Sequence, residues 1–167
     1  RKVTALIIAP TSVVPNWSSE IHKWLDNEEG AESLRKLNLI ILDSKLASNA
    51  KQRLKVVTEW QSEGGVLVVG YELFRIQTTL SEPAERAFNA LKALRHELKH
   101  SIGTPKEKNL ISLFEKREKS FKKYSGEIKM FELLCASPGP SLVVVDEGHR
   151  LRRSTSQLVK SITSMKT

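Results

Sequence analysis

Asp146 and Glu147 stand side by side, with His149 two residues further on, and these are residue types that hold cations and activate water. They follow Leu142–Val145, a short apolar run rich in β-branched residues that reads as a buried strand delivering both acids to its carboxyl end. In an open parallel sheet, ligands bind in the crevice beyond those ends. Successive residues leaving a strand point in different directions, so one acid can serve a metal ion while its neighbour serves a nucleophilic water. A plainer reading takes the same residues as a strand running into a charged loop, and these positions alone do not separate the two.

The elements that would position the acids are legible upstream. Val3–Ala9 predicts a first buried strand, ended by Pro10, which cannot donate to a ladder. Thr11–Val14 leads into a helix on which Trp17, Ile21, Trp24 and Leu25 recur at helical spacing, most of them as core, with Ser12 able to cap its start. Asn38–Leu42 predicts a second strand, and Ala50, Leu54, Val57 and Trp60 a helix closed by Gly64-Gly65. Val66–Val69 predicts a third strand, which runs into Gly70-Tyr71-Glu72. Strands apolar on both faces and alternating with helices predict an α/β fold, a parallel sheet covered by helices with right-handed crossovers.

Residues 81–136 change character and predict a helical, Lys-rich insertion. Ser81 and Pro83 open a helix with the stripe Ala84, Ala87, Phe88, Leu91, Leu94 and Leu98, and Gly103 ends it. Thr104-Pro105-Lys106-Glu107 reads as a capping box with proline at the first helical position. Leu110, Phe114, Phe121, Tyr124, Ile128, Phe131 and Cys135 then keep helical spacing, weakened at Gly126. The face bearing Lys106, Lys108, Lys116, Arg117, Lys119, Lys122, Lys123 and Lys129 reads either as a solvated, ion-paired surface or as one that meets DNA or a partner. Ser137-Pro138-Gly139-Pro140 is a rigid turn into the acidic strand, and Leu158, Ile162 and Met165 mark a last helix.

With 167 residues, 40% of them hydrophobic and 28% charged, the chain suits one folded core and argues against extended disorder. A formal net charge of +8 favours a polyanionic partner, nucleic acid ahead of an acidic membrane. Cys135 is the only cysteine, which excludes an internal disulfide and a cysteine-based zinc cluster and fits a reducing, intracellular compartment. No apolar run is long enough to span a bilayer as a helix. The chain starts with Arg1, almost directly on a strand, and reads as a segment of a larger polypeptide.

Three strand ends together carry a resemblance. Ala9-Pro10 is followed by Thr11-Ser12 and Asn16-Trp17, a later strand ends in Gly70-Tyr71-Glu72-Leu73-Phe74-Arg75, and the last ends in Asp146-Glu147-Gly148-His149. This resembles the first RecA-like lobe of the SWI/SNF-type chromatin-remodelling ATPases of helicase superfamily two. The DEGH spelling, the GYELFR stretch and the PGP turn look like the ATRX subfamily and its androgen-receptor-interacting relative. The resemblance covers residues 3–77 and 138–165, and the insertion between is longer than the family pattern.

The resemblance implies a three-layer RecA-like fold with helices on both faces of a parallel sheet, the sheet incomplete over this stretch, so that residues 1–167 would be part of an N-terminal helicase ATP-binding lobe. It implies ATP and Mg as cofactors. Asp146 would hold the magnesium ion bridging the β and γ phosphates, Glu147 would orient or deprotonate the attacking water, and His149 would couple the site to the motif that follows. Thr11, Ser12 and Asn16 match the motif that contacts the DNA backbone, for which small hydroxyl and amide groups at a helix N-terminus are suited. Gly70 and Tyr71 sit where the family places a further loop along the DNA cleft. The implied partners are double-stranded DNA and nucleosomes, with a histone or chromatin protein besides. The implied location is nuclear, with no membrane.

Two departures qualify this. Arg152-Arg153 stand where the family has Lys-Asn. No Gly-x-x-x-x-Gly-Lys-Ser/Thr phosphate loop occurs; the family places it just before Arg1, and its next motif just past Thr167. The 167 residues alone are therefore expected not to hydrolyse ATP. A non-catalytic DNA- or chromatin-binding scaffold remains an alternative. So does a metal-dependent phosphohydrolase using Asp146, Glu147 and His149, for which Asp43 is a weak further ligand.

Overall fold

The computed structural model describes residues 2–26, 37–43, 45, 47–136, 139–149, 157–163 and 165. Ser137, Pro138, Arg152 and Arg153, singled out above, lie outside them, as does the side chain of Leu25. The chain forms two compact units, Arg1–Thr79 with Met130–Thr167, and Leu80–Lys129.

The first unit is built on four parallel strands: β1 (Thr4–Ala9), β2 (Leu39–Leu42), β3 (Gly65–Gly70) and β4 (Leu142–Val145), in the order β2-β3-β1-β4. Strand residues alternate between faces, which sorts the apolar runs into two cores. Leu6 and Ile8 of β1 join Leu67 and Val69 of β3 on one side. Ile7 and Ala9 join Val66 and Val68 on the other.

Helix α1 (Val14–Asp26) covers the second face with Val14, Trp17 and Ile21. The first face is covered by α2 (Ala50–Glu63) through Val57 and Trp60, and by α3 (Tyr71–Thr78) through Tyr71 and Phe74. It is completed by Met130, Leu134 and Cys135 and by Leu158 and Ile162 of a last helix, Gln157–Thr163. Helices thus lie on both faces of a parallel sheet, the expected three-layer α/β arrangement.

Local chemistry sets the corners. Asn49 caps α2, its side chain accepting the Gln52 N–H at 3.0 Å. The helix stops where Gly64 and Gly65 take φ of 81° and 105°, a region that glycine enters without steric cost. A Cβ on Gly65 would lie 2.1 Å from the Asn38 carbonyl oxygen, so this glycine also permits the approach of β3 to the residue preceding β2. The Trp60 indole N–H is satisfied by the Gly65 carbonyl at 3.1 Å. A buried bond from the Thr78 hydroxyl to that of Ser161 ties α3 to the last helix at 3.0 Å.

Some positions of the apolar stretches are exposed, Val3 among them at 74%. Trp24 is 68% exposed: the helix turns it away from the sheet that Trp17 and Ile21 face. Leu142 is 55% exposed and Val143–Val145 only half-buried, because β4 has β1 as its one neighbour among the described residues.

The second unit contains α4 (Glu82–His100), α5 (Glu107–Ser120), a 3₁₀ turn (Lys122–Tyr124) and the start of α6 (Ser125–Cys135). Its small core is Ala84, Ala87 and Ile128, flanked by Leu80, Phe88, Phe121 and Tyr124. The helical spacing from Leu110 onwards does not run through: α5 ends at Ser120, ahead of the glycine that signalled weakness. The capping box also differs. Glu107 begins α5 and its carboxylate accepts the Gly103 N–H at 2.8 Å, while the Thr104 hydroxyl donates back to the Ser101 carbonyl at 2.7 Å. Proline 105 consequently precedes the helix in a turn. Lys106, Lys108, Lys116, Arg117, Lys119, Lys122, Lys123 and Lys129 are all exposed, and none is ion-paired among the described residues.

Candidate functional site

The order β3-β1-β4 with parallel pairing brings three strand ends together. Ala9 is in register with Gly70 and Ile8 with Val145, so the segments after these strands leave the sheet side by side at its carboxyl edge. They carry Thr11–Trp17, Gly70-Tyr71 and Asp146–His149, residues far apart in sequence. Asp43 follows β2, three strand positions from β4 and so about 14 Å away at the usual spacing, which removes it as a shared ligand with Asp146.

Asp146 is held on several sides. Its backbone N–H donates to the Ile8 carbonyl at 2.9 Å, extending the β1–β4 ladder by one residue. Its backbone carbonyl accepts the Tyr71 hydroxyl. Its carboxylate Oδ2 accepts the Trp17 indole N–H at 2.9 Å. The side chain is half-buried, and among the described residues Oδ2 is the one carboxylate oxygen so engaged.

Glu147 follows with φ of 52°, the only positive φ at a non-glycine among the described residues. This left-handed conformation costs about 1 kcal/mol. It ends the extended path of the strand, and Glu147 and His149 both stand exposed, the His149 Nδ1 lying 3.0 Å from Glu147 Oε2. At that exposure the pair contributes under about 1 kcal/mol, so it orients more than it stabilises.

Thr11, Ser12 and Asn16 are exposed around the turn that leads into α1, where the Val13 and Val14 N–H groups close on the Pro10 carbonyl at 2.8 and 3.2 Å. Gly70 is buried beneath them, and a Cβ there would come within 2.8 Å of Thr11 Oγ1. The absence of a side chain at Gly70 therefore lets the two segments lie against one another. Tyr71 is 8% exposed. Its ring belongs to the core and its hydroxyl points inward, so an outward face for a ligand falls to Thr11, Ser12 and Asn16 and to the neighbouring backbone.

The donor set suits a hard cation. Carboxylate oxygens are what Mg2+ takes, one or two at a time, with water and phosphate oxygens completing its shell. No group of three or more His, Cys, Asp or Glu gathers to hold a metal among the described residues, so a self-sufficient metal centre is not formed by them. Sequence reasoning missed the bonds from Trp17 and Tyr71. Trp17 read as core from its spacing and Tyr71 as part of a loop along the DNA cleft, and the available signal was the polar group that each must satisfy when buried.

A parallel α/β sheet with strand-end loops converging on an acid pair defines a domain of the doubly wound class that binds ligands at its carboxyl edge. Within that class, the chain belongs to the SNF2-related domain family, which matches residues 2–167. It is 32% identical over 173 residues to "Helicase ARIP4" of Homo sapiens, covering 96% of this chain and 11% of that protein. It is 30% identical to "Transcriptional regulator ATRX homolog" of Caenorhabditis elegans, covering 97% of this chain and 10% of that protein. To "Transcriptional regulator ATRX" of Homo sapiens it is 26% identical, covering 98% and 5%. The chain thus spans about a tenth or less of the length of these relatives. No solved structure matches it.

Proposed function

We propose that this chain is part of the first RecA-like lobe of an ATP-dependent double-stranded DNA translocase that remodels chromatin in the nucleus. The observation that carries the reading is the convergence on Asp146 of both segments expected to meet DNA, through Trp17 and Tyr71. Membership of the SNF2-related family supports it, as do the names of the ARIP4 and ATRX relatives.

In this reading Asp146 binds the magnesium ion of the nucleotide, Glu147 orients the attacking water or takes its proton, and His149 holds Glu147 in place. Magnesium, when bound, supplies charge neutralisation at the phosphates. Thr11, Ser12 and Asn16 contact DNA phosphates without reading sequence, which suits a motor that must move along any duplex. Gly70 keeps the second segment close enough for its backbone to share that contact. Residues 81–136 form an insertion in the lobe.

The phosphate loop and second lobe would come from elsewhere in a parent protein, so the 167 residues alone are expected to show no ATP turnover. In the parent, Asp146→Asn and Glu147→Gln are each expected to lower DNA-stimulated ATP hydrolysis at least a hundredfold while leaving duplex affinity within about threefold. Near-normal turnover in both variants would sink the reading, and the scaffold alternative would then stand.

A further inference from the structure

The hydrogen bond from Trp17 to Asp146 spans 129 residues of sequence and does something that core packing does not require. An indole N–H is a donor only, so it is aimed at an acceptor wherever it is buried. A backbone carbonyl is the usual choice, as for Trp60, whose N–H goes to Gly65. Trp17 instead selects one oxygen of a carboxylate. That choice fixes the rotation of the Asp146 carboxyl plane and engages Oδ2, leaving Oδ1 as the oxygen without a bond among the described residues.

The rest of Trp17 is equally constrained. Its ring lies half-buried on the face formed by Ile7, Ala9, Val66, Val68 and Val144, so the donor is anchored to the same strands that carry the acid. The Asp146 main chain is clamped independently, by Ile8 through N–H and by Tyr71 through the carbonyl. With both ends of the peptide fixed, the freedom left to Asp146 is its side-chain torsion, and Trp17 is the group that removes it.

We propose that Trp17 is a positioning residue for Asp146, holding the carboxylate in the rotamer that presents Oδ1 to a divalent cation. This rests on the function proposed above. A carboxylate that must first be oriented binds a cation more weakly by the population of the correct rotamer, so the deficit appears in cation affinity and not in duplex affinity.

The test uses the full-length parent protein. Trp17→Phe keeps an aromatic ring on the sheet and deletes the donor. Replacement of Trp17 by benzothienylalanine, in which sulfur takes the place of the N–H, keeps the whole bicyclic shape. Binding of Mn2+ in the presence of saturating ADP, followed by loss of the free-ion EPR signal, reads the site without turnover. Both replacements are expected to weaken Mn2+ about tenfold, the effect of one hydrogen bond to a charged group. The Mg2+ concentration for half-maximal ATP hydrolysis should rise by the same factor, with kcat at saturating Mg2+ and duplex Kd within twofold of the original.

The inference is overturned if Mn2+ binding stays within twofold in the benzothienylalanine protein while Asp146→Asn abolishes it, for Trp17 would then be packing alone. It is also overturned if only Trp17→Phe weakens Mn2+, because shape and not the donor would be responsible. Should Asp146→Asn itself retain Mn2+ and turnover, the underlying functional reading fails, and the two failures are told apart by that variant.

Discussion

Cys135 shows how much one buried side chain reports about its surroundings. Burial among Trp60, Leu134 and the rest of the sheet core raises its thiol pKa from an ordinary 9.0 to about 12, because the thiolate would be desolvated there. A folded-state pKa above the unfolded one favours the protonated form. The resulting stability is fully present below about pH 9 and is lost as pH rises toward 12, with a slope of at most about 1.4 kcal/mol per pH unit. Thermal melts between pH 8 and 11 should therefore fall less steeply for Cys135→Ala than for the original chain. Parallel curves would mean that the thiol is reached by water in the native state. At neutral pH the same burial predicts that iodoacetamide modifies Cys135 only through unfolding.

Among elements, the corner between α2 and β3 carries the sharpest requirement. Gly65 combines φ of 105° with the 2.1 Å approach of a notional Cβ to the Asn38 carbonyl, which itself accepts the Val66 N–H at 2.8 Å. Gly65→Ala must either displace Asn38, just before β2, or abandon that bond, and is expected to cost more than about 2 kcal/mol in urea unfolding. A cost below about 0.5 kcal/mol would show that the corner relaxes freely. Helix α1 is constrained differently. Among the described side chains its apolar face is set by Val14, Trp17 and Ile21, and Trp24 lies outside that stripe although the spacing had included it. Spacing identifies a helix and one face of it, but how wide a face is covered depends on what the helix lies against.

For the whole molecule, charge is unevenly shared. Leu80–Lys129 holds twelve Lys and Arg against seven Asp and Glu, a surplus of five out of the chain's net +8. Arg86 pairs with Glu82 at 3.3 Å, but Lys106, Lys108, Lys116, Arg117, Lys119, Lys122, Lys123 and Lys129 lack ion-pair partners among the described residues, so the expectation of an ion-paired face is not met at those eight. If they face phosphate, replacing Lys116, Arg117, Lys119, Lys122 and Lys123 by Gln in the parent should lower the slope of log affinity against log salt by about 4. An unchanged slope would assign this face to solvent.

The sequence by itself determined the strands, the α/β class and the family, because apolar runs, glycine corners and strand-end motifs are local and survive without knowledge of partners. It also named the residues at three strand ends. What it did not contain is that the ends are neighbours. The order β2-β3-β1-β4 sets Ala9 beside Gly70 and Ile8 beside Val145, and only that pairing makes Trp17, read as core, and Tyr71, read as a cleft residue, the groups that hold Asp146. The left-handed turn at Glu147, the break of the long helical pattern at Ser120 and the exposure of Trp24 were likewise decided in three dimensions. Each depends on what lies across the fold, and a hydrogen bond between residues 129 positions apart leaves no periodic trace in the chain.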